Sequence, residues 1–150
     1  MIYDRTQTDV NSAVEIRDNK VKNFQELTPG EIDILERGIF TINTLNRIEQ
    51  KQNELNNILL NYGYVANCEN KVDWTVTDIP NETDYVRILS NLNRLKTTFS
   101  YMQSTPNTPT NMFHFEKLND VEKILVDIEF LIGSMVSSWI YASNEFYVGG

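Results

Sequence analysis

The side chains best suited to chemistry in this chain are its one cysteine and one histidine, Cys68 and His114. A thiol beside an imidazole forms a nucleophile–base pair or part of a zinc site, but these two are far apart in sequence and zinc needs three or four ligands. His114 lies between Phe113 and Phe115, a setting typical of a structural loop histidine. We therefore predict neither Cys–His catalysis nor a metal site, and the lone thiol allows no internal disulfide.

Carboxylates are numerous, with 21 Asp and Glu residues, but their spacing does not group them. Glu122, Asp127 and Glu129 are five and two residues apart, and neither spacing places two groups on one helical face. The sequence contains no Glu-x-x-His pair, no glycine-rich phosphate loop and no Gly-x-Ser-x-Gly elbow. We therefore predict a protein that is not an enzyme and binds no cofactor.

The charge balance bears on possible partners. A net charge of −8 disfavours binding to nucleic acid phosphates or to an anionic membrane surface. The most apolar run, residues 124–136, contains two carboxylates and is shorter than the roughly 20 residues that span a bilayer. The first residues lack the apolar core of a signal peptide. The sequence therefore predicts no nucleic acid partner and no membrane.

Three stretches carry residues at 3-4-3-4 spacing, which places each set on one stripe of an α-helix. The stripes are Leu45-Ile48-Gln52-Leu55-Leu59-Tyr62, Tyr85-Ile88-Leu92-Leu95-Phe99-Met102 and Leu118-Val121-Leu125-Ile128-Ile132-Met135-Trp139. We predict an all-α fold, with residues 1–150 forming one helical bundle of three long amphipathic helices plus one or two shorter N-terminal helices. Gln52 is either a polar core position that fixes register or partner number or a residue at the edge of its stripe.

The N-terminal part, residues 1–27, is expected to form an arm with a helix that starts near Thr6 or Thr8. Its stripe is Val10, Val14, Val21 and Phe24, and the alternative is a helix that ends before Phe24. The Thr28-Pro29-Gly30-Glu31 segment has the pattern of a capping box with proline at the first helical position. It predicts a short helix over residues 29–37 that Gly38 terminates. The alternative is one long helix that continues through Gly38 to Asn61.

The long helices are predicted over about residues 44–61, 82–102 and 119–142, with Asn43, either Asn81 or Thr83, and Asn119 as caps. Between the first two lies an irregular segment, residues 65–80, in which Trp74 is expected to plug one end of the bundle. Residues 104–110 are rich in turn residues and are expected to form an exposed, mobile loop. Residues 143–150 form an aromatic tail outside the helical pattern.

Five residues are candidates for contacts with other proteins. Phe146 and Tyr147 join no stripe, so they either fold back on the bundle or dock onto a neighbour, as aromatic anchors do. Arg87 and Arg94, with Lys96, lie on the helix predicted over residues 82–102, which carries few acids. They either pair with acidic faces of adjacent copies or form a solvated face. The region around Trp74 is the fifth candidate contact.

Several short motifs occur in an order typical of one family. They are residues 44–49 (TLNRIE), residues 59–64 (LLNYGY), Asp73-Trp74, Ile79-Pro80, residues 85–92 (YVRILSNL) and residues 118–125 (LNDVEKIL). Together, over residues 43–147, they resemble small tail-region proteins of phages and prophages from Firmicutes. Members of that family usually end in a Ser-Gly-Glu-rich aromatic tail, whereas this chain has Ser143-Asn144-Glu145-Phe146 and then ends in Gly-Gly.

The resemblance implies a structural protein of a phage tail or baseplate, assembled in the bacterial cytoplasm and found in the virion. Its partners would be other tail or baseplate proteins and copies of itself, in symmetric arrangements. Two alternatives remain open. One is a phage-encoded interaction adaptor with a regulatory or anti-defence role, and the other is a glycan-binding tail module that uses Trp74 or Trp139 as a platform.

Overall fold

The computed structural model of this protein describes the backbone of residues 1–149 and the side chains of residues 1–140. All regular structure in the described backbone is helical. The helices are α1 (Gln7–Asn19), a 3-10 turn (Val21–Asn23), α2 (Pro29–Gly38), α3 (Ile42–Asn61), α4 (Glu82–Thr98) and α5 (Phe115–Gly149). The predicted all-α class, with three long helices after two short ones, is confirmed.

The first four helices begin at side-chain caps. The predicted capping box at Thr28 is present at the start of α2. Of the two predicted caps of α4, Asn81 is the cap, and it also forms a capping box with Asp84. The helix α1 begins after Thr6. For α3 the cap is Thr41, two residues before the predicted Asn43, because the Thr41 hydroxyl accepts the backbone N–H of Thr44. The chain therefore breaks between α2 and α3, and the alternative of one continuous helix is excluded.

The helices α3 and α5 run in parallel, side by side. The Arg47 guanidinium of α3 donates to Glu122 of α5 over 2.8 Å, and Tyr62, directly after α3, packs edge-on against Trp139 with ring centroids 5.3 Å apart. In both pairs the two residues are nearly the same number of positions apart in the sequence. A constant separation of this kind arises only when the two helices run in the same direction.

The remaining long helix, α4, points in the same direction as α3 and α5. Tyr85 near its start lies 5.9 Å from the Phe40 ring, just before α3. Phe99 at its end lies 5.1 Å from the Tyr64 ring, just after α3. Since all three helices point the same way, residues 62–81 and 99–114 must return along the length of the bundle.

The core lies where the three predicted stripes meet. Its fully buried members include Leu45, Ile48, Leu55, Leu59, Ile88, Leu92, Leu95, Val121, Ile124, Leu125 and Ile128. Gln52 is also fully buried, which makes it a core position and not an edge residue. The Gln52 Nε2 donates to the Ile88 carbonyl over 2.8 Å, and its Oε1 has no partner.

The N-terminal helices form a separate hairpin in which α1 packs on α2. The predicted stripe of α1 is wrong in its second half. The helix ends at Asn19, Phe24 is 97% exposed, and Ala13 is the buried residue of α1. Ala13 faces Gly38, where an added Cβ would lie 2.5 Å from the Ala13 Cβ and 2.2 Å from the Asp9 carbonyl oxygen.

Both ends of α5 differ from the prediction. The helix starts at Phe115, so Asn119 lies inside it and is not its cap. It continues to Gly149, past the predicted end near residue 142, because neither glycine nor proline interrupts residues 134–148. Trp139 lies level with the end of α3, so α5 extends about 15 Å farther. We call residues 139–149 the α5 projection.

Candidate functional site

Among the side chains of residues 1–140, three carboxylates are buried inside this bundle, although nothing in their spacing predicted it. Glu49 on α3 and Glu122 on α5 are 0% exposed, and Asp127 on α5 is 2% exposed. Each one binds a different segment that lacks regular structure. The three carboxylates thereby fix the chain's irregular parts to its helices.

Glu122 binds the N-terminal arm. Its carboxylate accepts the Ile2 backbone N–H, the Arg5 guanidinium at 2.6 Å and the Arg47 guanidinium at 2.8 Å. Burial alone would raise the pKa of Glu122, but the hydrogen bonds from Arg47 and Arg5 outweigh it, so this pKa is lowered. The carboxylate therefore stays ionised and is saturated by donors, unlike a general acid or base, which must exchange its proton.

Arg5 connects the arm, the hairpin and the bundle. Besides Glu122, its guanidinium donates to the Arg37 carbonyl at the end of α2 over 2.9 Å. Its backbone N–H and C=O bond the side chain of Asn119, at 3.1 and 3.0 Å. The residue predicted to cap α5 therefore holds the N-terminal arm from inside that helix.

Glu49 binds the first return segment, residues 62–81. It accepts the Trp74 indole N–H, the Lys71 backbone N–H at 3.0 Å and the Arg87 guanidinium. Asn46 adds two bonds to the Trp74 backbone, each 2.9 Å long. Trp74 is thus buried against the first half of α3.

Asp127 binds the second return segment, residues 99–114. It accepts the Thr105 hydroxyl at 2.8 Å and the Lys123 ammonium. Lys96 donates to the Pro106 carbonyl over 2.7 Å, and Thr105 is only 8% exposed. The expectation that residues 104–110 form an exposed loop is therefore wrong for its anchoring residues, because a buried carboxylate and a lysine hold them.

Burial disfavours ionisation of the Cys68 thiol, and His114 lies on the surface. Burial raises the pKa of the Cys68 thiol to about 11, and its Sγ faces the Asn91 carbonyl at 3.6 Å. The His114 side chain is 63% exposed, with Glu116 as its nearest acid at 3.6 Å. Among the described residues, no group of three or more His, Cys, Asp or Glu side chains is placed to hold a metal ion.

The predicted interface residues have partners within the chain. Trp74 is 6% exposed, which leaves no open platform for a sugar. Arg87 binds Glu49 and Asp84, and Arg94 donates to the Asn67 carbonyl over 2.7 Å. Phe146 and Tyr147 lie outside the described side chains. The contacts of these residues with other proteins remain predictions.

Two apolar surfaces are left open at opposite ends of the bundle. At the end where the long helices begin, a groove of about 380 Å³ lies between the start of α4 and the segment before α5. Pro80, Tyr85, Val86, Leu89 and Phe113 form its apolar lining. We call it the α4 groove.

At the other end, the α5 projection exposes 47% of Trp139 and 59% of Ile140. The sequence carries no charged residue from position 130 to position 144. Nothing in the 3-4-3-4 pattern had indicated which part of this stripe would extend beyond its neighbours.

No family model, no curated protein and no solved structure matches this chain. Within the described residues, no helix combines the length and apolar character needed to cross a membrane.

Proposed function

We propose that this protein is a non-enzymatic structural protein of a phage tail or baseplate, which acts through protein–protein assembly. The α5 projection carries the assembly part of this proposal. The phage part rests on the motifs in residues 43–147 that resemble small tail-region proteins.

The projection favours assembly because the two apolar side chains at its start, Trp139 and Ile140, face water in an isolated copy. Trp139 and Ile140 are about half exposed, at the level where α3 ends and α5 continues. Exposed apolar surface that is contiguous marks interaction sites more often than single exposed residues do. Residues 130–144, which include the first half of the projection, carry no charged residue, and such a segment on a chain of net charge −8 suits an apolar partner surface.

The body of the protein suits a rigid component. Buried polar groups with all partners satisfied fix one arrangement of the chain, and here Glu49, Glu122 and Asp127 fix the irregular segments. A rigid body with one projecting helix can transmit position between neighbours in a particle.

The test is quantitative mass spectrometry of purified particles from the source strain, scaled to the major tube protein. The proposal expects a fixed small multiple, such as a threefold or sixfold copy number per particle. Presence in the lysate with absence from the particles would contradict it and would favour the adaptor.

A variant sharpens this experiment. Ile140→Glu adds a charge to the projection, far from the bundle core, and should reduce incorporation into particles. Ile32→Glu on α2 is the matched control, because Ile32 is also partly exposed, at 44%, and lies on the N-terminal hairpin. Equal incorporation of both variants would contradict the role given to the projection.

A further inference from the structure

We infer that the N-terminal arm and hairpin, residues 1–38, form a cover that opens as one unit about the link at residues 39–41, while the three long helices stay packed. Arg5 is the latch that holds this cover closed. The closed state is the ground state, and the open state is a minor state in equilibrium with it. The inference does not depend on the phage assignment.

The cover is held together by its own contacts, so its parts move together. The Ala13 side chain of α1 is fully buried where α1 closely approaches Gly38 of α2. The Arg37 guanidinium donates to the Asp9 carboxylate over 2.9 Å and to the Asp4 carbonyl over 3.1 Å. Arg37 of α2 therefore bonds both α1 and the arm.

The core of the bundle is complete without the cover. In the described part of the chain, the buried apolar cluster consists of side chains from the long helices and the two return segments, and none comes from residues 2–39. The helices α1 and α2 pack closely on each other, but neither packs closely along a long helix. Because hydrophobic stabilisation scales with the apolar area removed from water, opening of the cover sacrifices little of it.

A cavity separates the cover from the bundle. Its volume is about 210 Å³, and it lies between Val10 and Ile39 on one side and Met112 and Leu118 on the other. Atoms that border a void have no packing partner there, so this boundary contributes less attraction than a close-packed interface does. Met112 and Leu118 are each only 4% exposed, and they become accessible to water when the cover opens.

The attachment of the cover to α5 is concentrated on one turn of that helix. Among the described residues, every hydrogen bond between residues 1–38 and α5 ends on Asn119 or Glu122, which are three positions apart. Arg5 forms all of these bonds except the one that the Ile2 backbone N–H donates to Glu122. A single residue of the cover therefore carries most of its polar attachment.

The link provides a pivot. Ile39 and Thr41 both have extended backbone, and each lies at the end of a separate helix. The Glu36 carboxylate accepts the Thr41 hydroxyl and the Asn43 side-chain amide, both at 2.9 Å. These two bonds lie beside the link, where rotation of the cover displaces atoms least.

Glu122 keeps a counter-charge when the cover opens. Arg47 of α3 donates to the same carboxylate over 2.8 Å, and Arg47 stays in the bundle. The Arg5 guanidinium moves into water, which solvates it. Separating a buried ion pair is most costly when it leaves a buried charge without a partner, and opening of the cover leaves none.

Native-state hydrogen exchange tests the inference, with peptides resolved by mass spectrometry at urea concentrations below global unfolding. Amides that exchange through one cooperative opening share one opening free energy and one urea dependence. We expect this behaviour for the amides of α1 and α2. They should exchange at least about tenfold faster than the core amides of α3 and α4, since the cover opens without the bundle.

A bundle variant separates opening of the cover from global unfolding. Leu92→Ala removes a fully buried side chain of α4 that stays packed when the cover opens. It should accelerate exchange of the α3 and α4 core amides at least about thirtyfold and leave the α1 and α2 amides within about twofold. If Leu92→Ala does not fold, Ile88→Val provides the same contrast, with about two- to tenfold acceleration of the core amides.

A latch variant and a matched control test Arg5. Arg5→Ala should accelerate exchange of the α1 and α2 amides at least about tenfold, because the closed state loses buried hydrogen bonds from a charged group. Arg17→Ala is the control on the same hairpin, since the Arg17 side chain is 43% exposed and pairs only with its neighbour Asp18. It should change these rates less than about twofold.

Three results would overturn the inference. The first is equal acceleration of the cover and bundle amides by the bundle variant, which would mean that the cover opens only in global unfolding. The second is a set of α1 and α2 amides with unrelated rates and no urea dependence, which would mean local fraying. The third is equal acceleration by Arg5→Ala and Arg17→Ala. None of these results depends on whether the protein is found in particles.

Discussion

The guanidinium of Arg5 lies 2.6 Å from the carboxylate of Glu122, and the two side chains are 1% and 0% exposed. A pair this deeply buried joins residues that are 117 positions apart. Removing two charges from water is costly, and that cost is offset only when the hydrogen bonds around them are complete. Here Arg47 supplies a second guanidinium and Arg37 a carbonyl.

We expect Glu122→Gln to destabilise the protein strongly, because it leaves the Arg5 guanidinium buried without its counter-charge. Breaking a buried pair in this way costs about 3–5 kcal/mol. Urea unfolding measures the change. Glu129→Gln is the control, since Glu129 lies on the same helix as Glu122 and forms a half-exposed pair with Lys51 of α3, worth about 1 kcal/mol or less. Equal losses in the two variants would refute the structural role of Glu122.

The same carboxylate predicts an acid-dependent loss of stability. Its pKa is lowered below the ordinary 4.5, so its contribution is fully present above that value and is lost as pH falls through the lower folded-state pKa. The natural protein should therefore lose stability more steeply below pH 4.5 than Glu122→Gln does. Asp9, Asp18 and Glu31 also have lowered pKa values, but both proteins retain them. Parallel pH profiles would show that Glu122 does not contribute.

Replacing Gly38 or Gly133 by alanine should change the stability of the protein in opposite directions. Both are in helices, but a Cβ at Gly38 would collide with the Asp9 carbonyl oxygen and Ala13, while one at Gly133 meets nothing within 4 Å. We expect Gly133→Ala to stabilise by up to about 1 kcal/mol through helix propensity. Gly38→Ala should destabilise, because α1 and α2 must move apart. Thermal unfolding monitored by circular dichroism distinguishes them, and stabilisation by both changes would contradict the close packing.

Sequence periodicity predicted the core well because burial follows from local spacing. Leu45, Ile48, Ile88 and Leu125 are all fully buried, as their stripes required. Gly38 shows the limit of local reasoning. It was interpreted as a helix stop, and α2 does end there, but the contact that requires glycine comes from α1, which the local pattern does not reveal.

The stripe pattern also could not predict the relative direction of the helices, because the same apolar spacing results whichever way a helix runs. The available signal was the length of the links. Short links favour antiparallel neighbours, whereas residues 62–81, at about 3.3 Å per extended residue, are long enough to return along α3.

The buried carboxylates were missed for a related reason. The partners of Glu49 and Glu122 lie on other helices, on a return segment or at the N-terminus, so nothing near these two residues in sequence indicated burial.

Cys68 should react slowly with thiol reagents while the protein is folded. Only the thiolate is nucleophilic, and burial raises the thiol pKa to about 11. At pH 8 we expect iodoacetamide to modify the native protein far more slowly than the urea-unfolded protein, as followed by intact mass. Raising the pH toward 10 should accelerate the native reaction, since the thiolate fraction increases. Equal rates for native and unfolded protein would contradict the burial of this thiol.

Gln52→Met should leave stability unchanged or raise it, by up to about 2 kcal/mol. The Gln52 Oε1 is buried without a partner, and an unsatisfied buried acceptor costs about 1–3 kcal/mol. Its Nε2 bond to the Ile88 carbonyl is dispensable, because that carbonyl lies inside α4 and keeps its helical bond. Urea unfolding measures the effect, with Leu55→Met as a control for methionine in the same stripe. A clear loss of stability confined to Gln52→Met would show that the hydrogen bond from the Gln52 side-chain amide stabilises the core. An altered sedimentation mass would show instead that this polar position sets the partner number.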